Sequence, residues 1–269
     1  MKDTETIGLI GGGQMGEALI RGMINSGLTT AGRIMAAEPA DSRREFLSST
    51  YHIKATDTAE EICNFASILI LAVKPQIMQS VLAQYKPFMG NEHLIISIAA
   101  GVPIGALEQG IGKLRIIRVM PNTPALVLAG ASALSPNARA SSEDLELGME
   151  IFSAIGTCVH LPENLLDAVT GLSGSGPGYI FTFIEAMIDG GVLAGIPRPV
   201  AEQLVLQTVY GSAKLALETG KPPAALKAMV TSPGGTTIAG IHALEEAGLR
   251  GTVMSAVDRA TIRSKELGV

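Results

Sequence analysis

The sequence predicts an α/β protein: an N-terminal doubly wound, mostly parallel sheet, followed by an all-α part through which the chain dimerises. Three observations predict it. Over roughly the first 160 residues, short apolar runs alternate with segments of helical period, as in successive βαβ units. A GxGxxG motif joins the first apolar run to the first helical segment. Beyond Leu161 the strand signals vanish and only helical spacing remains.

Strands are expected at about 5–11, 33–38, 67–73, 93–99 and 114–120. The runs SILILAV (67–73) and HLIISIAA (93–100) are apolar at consecutive positions, as in strands covered by helices on both faces. Helices are expected near 14–26, 41–49, 58–65 and 76–85, the last opening at Pro75, where a first-turn proline costs no hydrogen bond. GASALS (130–135) and TCVHL (157–161) read as shorter strands that extend the edge of the sheet. The domains are expected to divide at 160/161. In the second, residues 177–195, 198–219 and 235–266 have helical spacing, broken by the turns GIPR, TGKPP and TSPGG.

The helical part is too small to bury much surface alone. Its helix 177–195 is apolar almost all round, with Ile180, Phe181, Phe183, Ile184, Met187, Ile188, Val192 and Leu193, and must be covered on every side. A homodimer with packed, intertwined helical halves is expected. Cover by the chain's own N-terminal part is the alternative.

Composition narrows the function classes. The 269 residues are 47% hydrophobic and 17% charged, with a net charge of -5, which leaves no electrostatic footprint for nucleic acid or an anionic membrane. The opening MKDTETIGLIGGG lacks the basic start and small-residue cleavage site of a secretory signal. Glu185 and Asp189 sit within the longest apolar stretch, 177–197, where a bilayer would make them costly. A cytoplasmic protein is expected. Cys63 and Cys158 lie far apart without CxxC spacing, and read as small core residues in a reducing compartment. His52, His93, His160 and His242 are scattered, so no metal site is expected. No Ser-His-Asp order or paired carboxylates point to hydrolysis.

Gly11, Gly13 and Gly16 form the GxGxxG motif directly after the strand TIGLI and before a periodic segment with Met15, Leu19, Ile20 and Met23. The glycines allow a tight turn, close approach to a pyrophosphate and close packing of helix on strand, so a Rossmann-type dinucleotide site is expected. Glu38 ends the second strand, where a carboxylate accepts hydrogen bonds from the adenosine ribose. Arg43 and Arg44 follow within one helical turn, either as a clamp for a 2′-phosphate or as a solvated face, so NADH and NADPH both stay open. Lys74 in AVKP (72–75) and Asn122 in MPNTP (120–124) stand at strand ends, placed to meet ribose, nicotinamide or substrate.

The segment TSPGGTT (231–237) precedes an apolar-periodic stretch. Ser232 is expected to cap that helix and Pro233 to take its first position, leaving the amides of Gly234, Gly235, Thr236 and Thr237 for a carboxylate. An ordinary capped helix start gives the same pattern. GLSGSGP (171–177) is a second small-residue turn that leads into a helix, lining the same cleft or letting helices pack closely.

Taken together, GGGQMG (11–16), AVKPQ (72–76), SIAAGV (97–102), RVMPNTP (118–124), TGLSGSGP (170–177), DGGVLAGIPR (189–198) and LETGKPPAALKAMVTSPGGTTIAGIHALE (217–245) closely resemble the pyrroline-5-carboxylate reductases, across the whole chain. The resemblance implies a Rossmann domain with a helical dimerisation domain, NADPH or NADH as cofactor, and 1-pyrroline-5-carboxylate as substrate, reduced to proline. It also implies larger assemblies of dimers, such as a decamer of five. Cofactor contacts are expected at Ile10, Gly11, Gly13, Gln14, Met15, Gly16 and Glu38, and at Arg43, Ala72, Val73, Lys74, Pro75 and Ala99. The resemblance implies Ser232, Gly234, Gly235, Thr236 and Thr237 for the substrate; Asn122 is expected to join them from its strand-end place, and Thr237 and Lys74 are expected to be catalytic. Many relatives have small, polar or basic side chains where this chain has Glu38. Two rivals share parts of the pattern: a β-hydroxyacid or other imine oxidoreductase with a helical-domain lysine (Lys214, Lys221 or Lys227), and a dinucleotide sensor without chemistry.

Overall fold

The computed structural model describes residues 5–268. The first four residues of the opening MKDTETIGLIGGG lie outside the described residues. Contacts divide the chain into two compact units, one of residues 1–175 with 258–269 and one of Gly176–Val257.

In the first unit, β1 (Ile7–Ile10), α1 (Gln14–Asn25), β2 (Ile34–Ala37), α2 (Asp41–Tyr51), β3 (Lys54–Thr56), α3 (Ala59–Phe65) and β4 (Ile68–Leu71) follow in order. After them come α4 (Met78–Tyr85), β5 (Leu94–Ser97), α5 (Ile104–Ile111), β6 (Arg115–Met120), β7 (Gly130–Pro136), α6 (Ser142–Ser153) and β8 (Gly156–His160). The eight strands form one sheet in the order β3-β2-β1-β4-β5-β6-β7-β8. All neighbours are parallel except β6 and β7. The chain reverses direction across the sheet between β1 and β4, which opens a crevice at the carboxyl ends of the strands.

Every residue of β1, β2, β4 and β5 is buried, as the unbroken apolar runs require. One core, built around Leu9, Leu19, Ile20, Met23, Leu47 and Phe152, fills one face; the other gathers Ile10, Ile62, Leu69, Leu71, Leu82 and Leu107. Gly8 lets α3 lie against β1, because a Cβ there would come within 2.8 Å of Ile62 and 2.9 Å of Ala66.

A short α7 (Leu166–Val169) runs into a π-turn, Thr170–Gly174. The second unit then holds α8 (Gly176–Leu193), α9 (Arg198–Thr219), α10 (Pro223–Met229) and α11 (Thr236–Glu246). The last helix, α12 (Leu249–Leu267), begins there and ends in the first unit, where Ser264 Oγ donates to Asp167 Oδ1 at 2.6 Å. The single helix expected over 235–266 is thus two, parted at Ala247 and Gly248, with Gly248 left-handed at φ +72°. The twelve-residue α6 and the shorter β3, α5 and α10 also join the expected set.

Ile184 is the only described residue of α8 that is buried within the chain. Phe181 is 64% and Leu193 90% exposed, and Leu204, Leu206, Leu217 and Met254 are bare as well. So much apolar surface marks an interface. No helix among the described residues is long and apolar enough to cross a membrane.

Candidate active site

Backbone geometry fixes the glycine turn between β1 and α1. Gly11 has φ +105°, and a Cβ on it would sit 2.6 Å from the Ala72 carbonyl oxygen, so no other residue fits there. A Cβ on Gly16 would sit 2.6 Å from the Gly11 oxygen, so this glycine brings the helix down onto the turn. Gly13 differs, because a Cβ there meets nothing within 4 Å. It caps α1 without any side-chain bond, and the first intrahelical bond runs from Glu17 N to the Gly13 oxygen at 2.9 Å. The amides of Gln14, Met15 and Gly16 therefore have no partner within the helix, and their dipoles converge where an anion fits.

Two adjoining cavities open over this turn. The first, about 580 Å³, is lined by Ile10, Gly11, Gly13, Glu38, Ala72, Val73 and Lys74. The second, about 410 Å³, is lined by Gly13, Gln14, Met15, Val73, Lys74, Pro75, Ala99, Asn122 and Gly174. Gly13, Ala72, Val73 and Lys74 belong to both, so the pair forms one elongated trough over the strand ends. Of the cofactor residues expected from sequence, only Gly16 and Arg43 do not line it. Sequence reasoning missed Asp57 beyond β3, Val81, Gln84 and Tyr85 on α4, and Met120 at the end of β6. The residues fit a dinucleotide: bare amides at the centre, a carboxylate at one end and an apolar floor at the other.

Glu38 is held at the end of β2 by two backbone amides, Gly12 N to Oε2 at 2.9 Å and Ala40 N to Oε1 at 3.2 Å. Arg43 does not line the trough. Its Nε donates to the Gly12 oxygen at 2.6 Å, and Nη2 pairs with Glu17, which also accepts from Tyr51 Oη at 2.7 Å. Burial alone would raise the Glu17 carboxyl, but the bonds from Arg43 and Tyr51 outweigh it and hold the group below the usual carboxylate range. Arg44 Nη1 donates to the oxygens of Glu38 at 2.7 Å and Pro39 at 2.9 Å, while Nη2 pairs with Asp41.

Asn122 spends both ends of its amide inside the first unit. Nδ2 donates to the Ser173 oxygen at 3.1 Å in the π-turn, and Oδ1 accepts from Ala131 N at 2.8 Å in β7. Lys74, by contrast, is exposed at the trough. In the cavity that holds Glu38, burial pushes the Tyr85 hydroxyl up to about 12.

In the second unit, Ser232–Gly235 is a tight turn. Gly235 N donates to the Ser232 oxygen at 3.1 Å, and Gly234 at φ +66° takes the left-handed position after Pro233, as in a type II turn. Pro233 is therefore a turn residue and not the first of the helix, and Ser232 does not cap. Gly235 is the N-cap of α11 and makes no side-chain cap bond. The amides of Thr236, Thr237 and Ile238 are left without intrahelical partners, and Gly234 and Thr237 are exposed. Lys214, the acid or base a hydroxyacid dehydrogenase would need, instead pairs with Glu218 Oε1 at 3.6 Å along α9. His242 faces Glu246 at 3.5 Å, and His93 is buried against the Cys63 oxygen at 3.0 Å. No group of three or more His, Cys, Asp or Glu among the described residues is placed to hold a metal ion.

Comparison with known proteins places these features. A family model described as pyrroline-5-carboxylate reductase dimerisation matches residues 163–267, and one described as NADP oxidoreductase, coenzyme F420-dependent, matches 6–101. The chain is 51% identical over 267 residues to the pyrroline-5-carboxylate reductase of Methanosarcina acetivorans, covering 99% of each. It aligns with the solved structure of a pyrroline-5-carboxylate reductase from Coxiella burnetii at TM-score 0.95 and 35% identity, over 99% of this chain and 100% of that one. The Plasmodium falciparum pyrroline carboxylate reductase, solved with NADP bound, aligns at TM-score 0.88 and 35% identity over 100% of both chains.

Proposed function

The chain belongs to the pyrroline-5-carboxylate reductases, and on that premise we propose how its own residues divide the reaction. It is an NAD(P)H-dependent oxidoreductase that reduces the C=N bond of 1-pyrroline-5-carboxylate to give L-proline, the last step of proline biosynthesis. Residues 1–160 hold the dinucleotide, and 161–269 bind substrate and carry the oligomer interface.

The pyrophosphate rests on the amides of Gln14, Met15 and Gly16, with the adenosine toward Glu38 and the nicotinamide toward Ala99 and Asn122. Bound there, the cofactor supplies hydride to the imine carbon. Lys74, the charged group shared by both cavities, faces the phosphates and the reacting end. The substrate carboxylate sits on the amides of Gly234, Thr236 and Thr237, where the helix dipole adds favourable potential, while the Gly235 amide, expected from sequence to join them, is spent on the Ser232 oxygen. Ser232 shapes that turn. Thr237 donates its hydroxyl to the ring nitrogen, orienting the imine and relaying a proton from water as the nitrogen becomes an amine. The observation that carries these roles is the uncapped start of α11, where glycines replace the side chains that would otherwise satisfy the amides.

The helical unit makes the protein a homo-oligomer. We propose a dimer through α8, five such dimers in a decamer, and a cytoplasmic location. Light scattering during gel filtration reads the assembly; a monomer under all conditions refutes it. The catalytic assignment is tested by initial rates of NAD(P)H oxidation with 1-pyrroline-5-carboxylate and with 1-pyrroline, which lacks the carboxylate. The KM for 1-pyrroline is expected to be at least about tenfold higher. Equal KM values remove the carboxylate from the α11 turn.

A further inference from the structure

We infer that this enzyme discriminates in favour of NADH and against NADPH, with Glu38 as the determinant; the inference rests on the cofactor assignment above. Names among the relatives carry NADP, but the adenosine end of this trough has the opposite chemistry. Glu38 Oε1 and Oε2 each take one backbone amide, at 3.2 and 2.9 Å, which fixes the carboxylate while leaving lone pairs for two ribose hydroxyls. A 2′-phosphate would replace one of those donors with a second anion beside a carboxylate held there by two backbone amides. Asp57 lines the same cavity and adds a like charge.

The cations that would offset this charge are committed elsewhere. Arg43 is bonded to the Gly12 oxygen and paired with Glu17 on α1. Arg44 is bonded to the carbonyls of Glu38 and Pro39 and paired with Asp41, with Asp57 at 3.7 Å. Neither lines the cavity. Lys74 does, but it is common to both cavities and so belongs to the middle of the trough, with the pyrophosphate, and not to the ribose end. A clamp for the 2′-phosphate would require Arg44 to abandon two carbonyls and a carboxylate at once.

The test is equilibrium binding to the purified wild-type enzyme: NADH against NADPH by fluorescence titration, and AMP against adenosine 2′,5′-bisphosphate by calorimetry. NADH is expected to bind at least about tenfold tighter than NADPH, with the same order for the two fragments. In Glu38→Gln the ratio should fall at least about fivefold through a gain for NADPH, and Asp57→Asn should move it the same way by less. NADPH binding as tightly as NADH to wild type overturns the inference and leaves the reductase assignment standing. Equal weakening of both cofactors in Glu38→Gln overturns Glu38 as the determinant. Binding of neither dinucleotide to wild type overturns the cofactor assignment and this inference with it. If Glu38→Gln does not fold, the wild-type ratios and Asp57→Asn decide.

Discussion

Replacing Gly13 by Ala separates binding from stability at one atom. The Gly13 backbone lies at φ -66°, which alanine adopts freely, and a Cβ there meets nothing within 4 Å. Alanine is a poorer N-cap than glycine, a loss of up to about 1 kcal/mol, but it also restricts the unfolded chain by about 0.4–1 kcal/mol. The two nearly cancel, and at about 2–4 °C per kcal/mol the melting temperature should move by less than about 2 °C. Binding should respond quite differently. The new methyl projects where a pyrophosphate would approach the amides of Gln14 and Met15, and losing one such charge-assisted bond costs about 1.5–3 kcal/mol, or roughly 10–150-fold in dinucleotide Kd. Gly16→Ala is the converse control. Its Cβ would press on the Gly11 oxygen at 2.6 Å, so it should lose about 1–3 kcal/mol, or about 3–10 °C in Tm. Melting and titration of both variants check the pair. Unchanged dinucleotide affinity in a stably folded Gly13→Ala would refute the placement of the phosphates.

Thr237→Ala should lower kcat by a factor of roughly ten to a thousand with the circular dichroism spectrum unchanged, because the residue is exposed and the role proposed for its hydroxyl is toward the substrate; steady-state kinetics at saturating substrate checks this, and wild-type turnover would remove Thr237 from the mechanism. Glu17, with a folded pKa below the usual 4.5, contributes stability that is present above the unfolded value and is lost as pH falls through the folded one. The urea midpoint of wild type should therefore exceed that of Glu17→Gln at pH 7, with the gap closing below about pH 4.5; a gap constant down to pH 3 contradicts this. Burial pushes both Cys63 and Cys158 up to about 11, so at pH 8 each should react with a disulfide reagent roughly a hundredfold more slowly than a free cysteine. Fast release of two thiols from the native protein would show that this part of the fold opens readily.

Much of the sheet was legible because its signals are local. The β1–turn–α1 unit follows from GxGxxG, since the φ of Gly11 and the close approach of Gly16 are demands that only glycine meets. Consecutive apolar residues marked β4 and β5 because helices cover both faces. The elements that escaped are short or weakly patterned. β3 has three residues, of which only Thr56 is buried, and α5 is an eight-residue helix with two glycines. α6 did carry a readable signal: Ser141 and Asp144 form a reciprocal capping box, with bonds of 3.1 and 2.8 Å. The break between α11 and α12 was hidden because apolar spacing runs on through Gly248, while the chain turns there by a single left-handed residue.

In the site, what sequence revealed was backbone, and what it hid was side-chain commitment. The glycines and the strand-end residues Ala72 to Pro75 line the trough because topology puts them there whatever their neighbours do. The fate of Arg43 depends on Glu17, which is 26 positions away, so a guanidinium that looked available for phosphate is already neutralised. Asn122 makes the same point at the other end. Its amide ties the π-turn at Ser173 to β7 at Ala131, and a Cβ on Gly174 would come within 2.6 Å of Met120 at the end of β6. The end of the trough away from Glu38 is thus lined by a residue whose polar atoms are spent on a bridge within the fold, and Asn122 contributes there through the wall it holds in place.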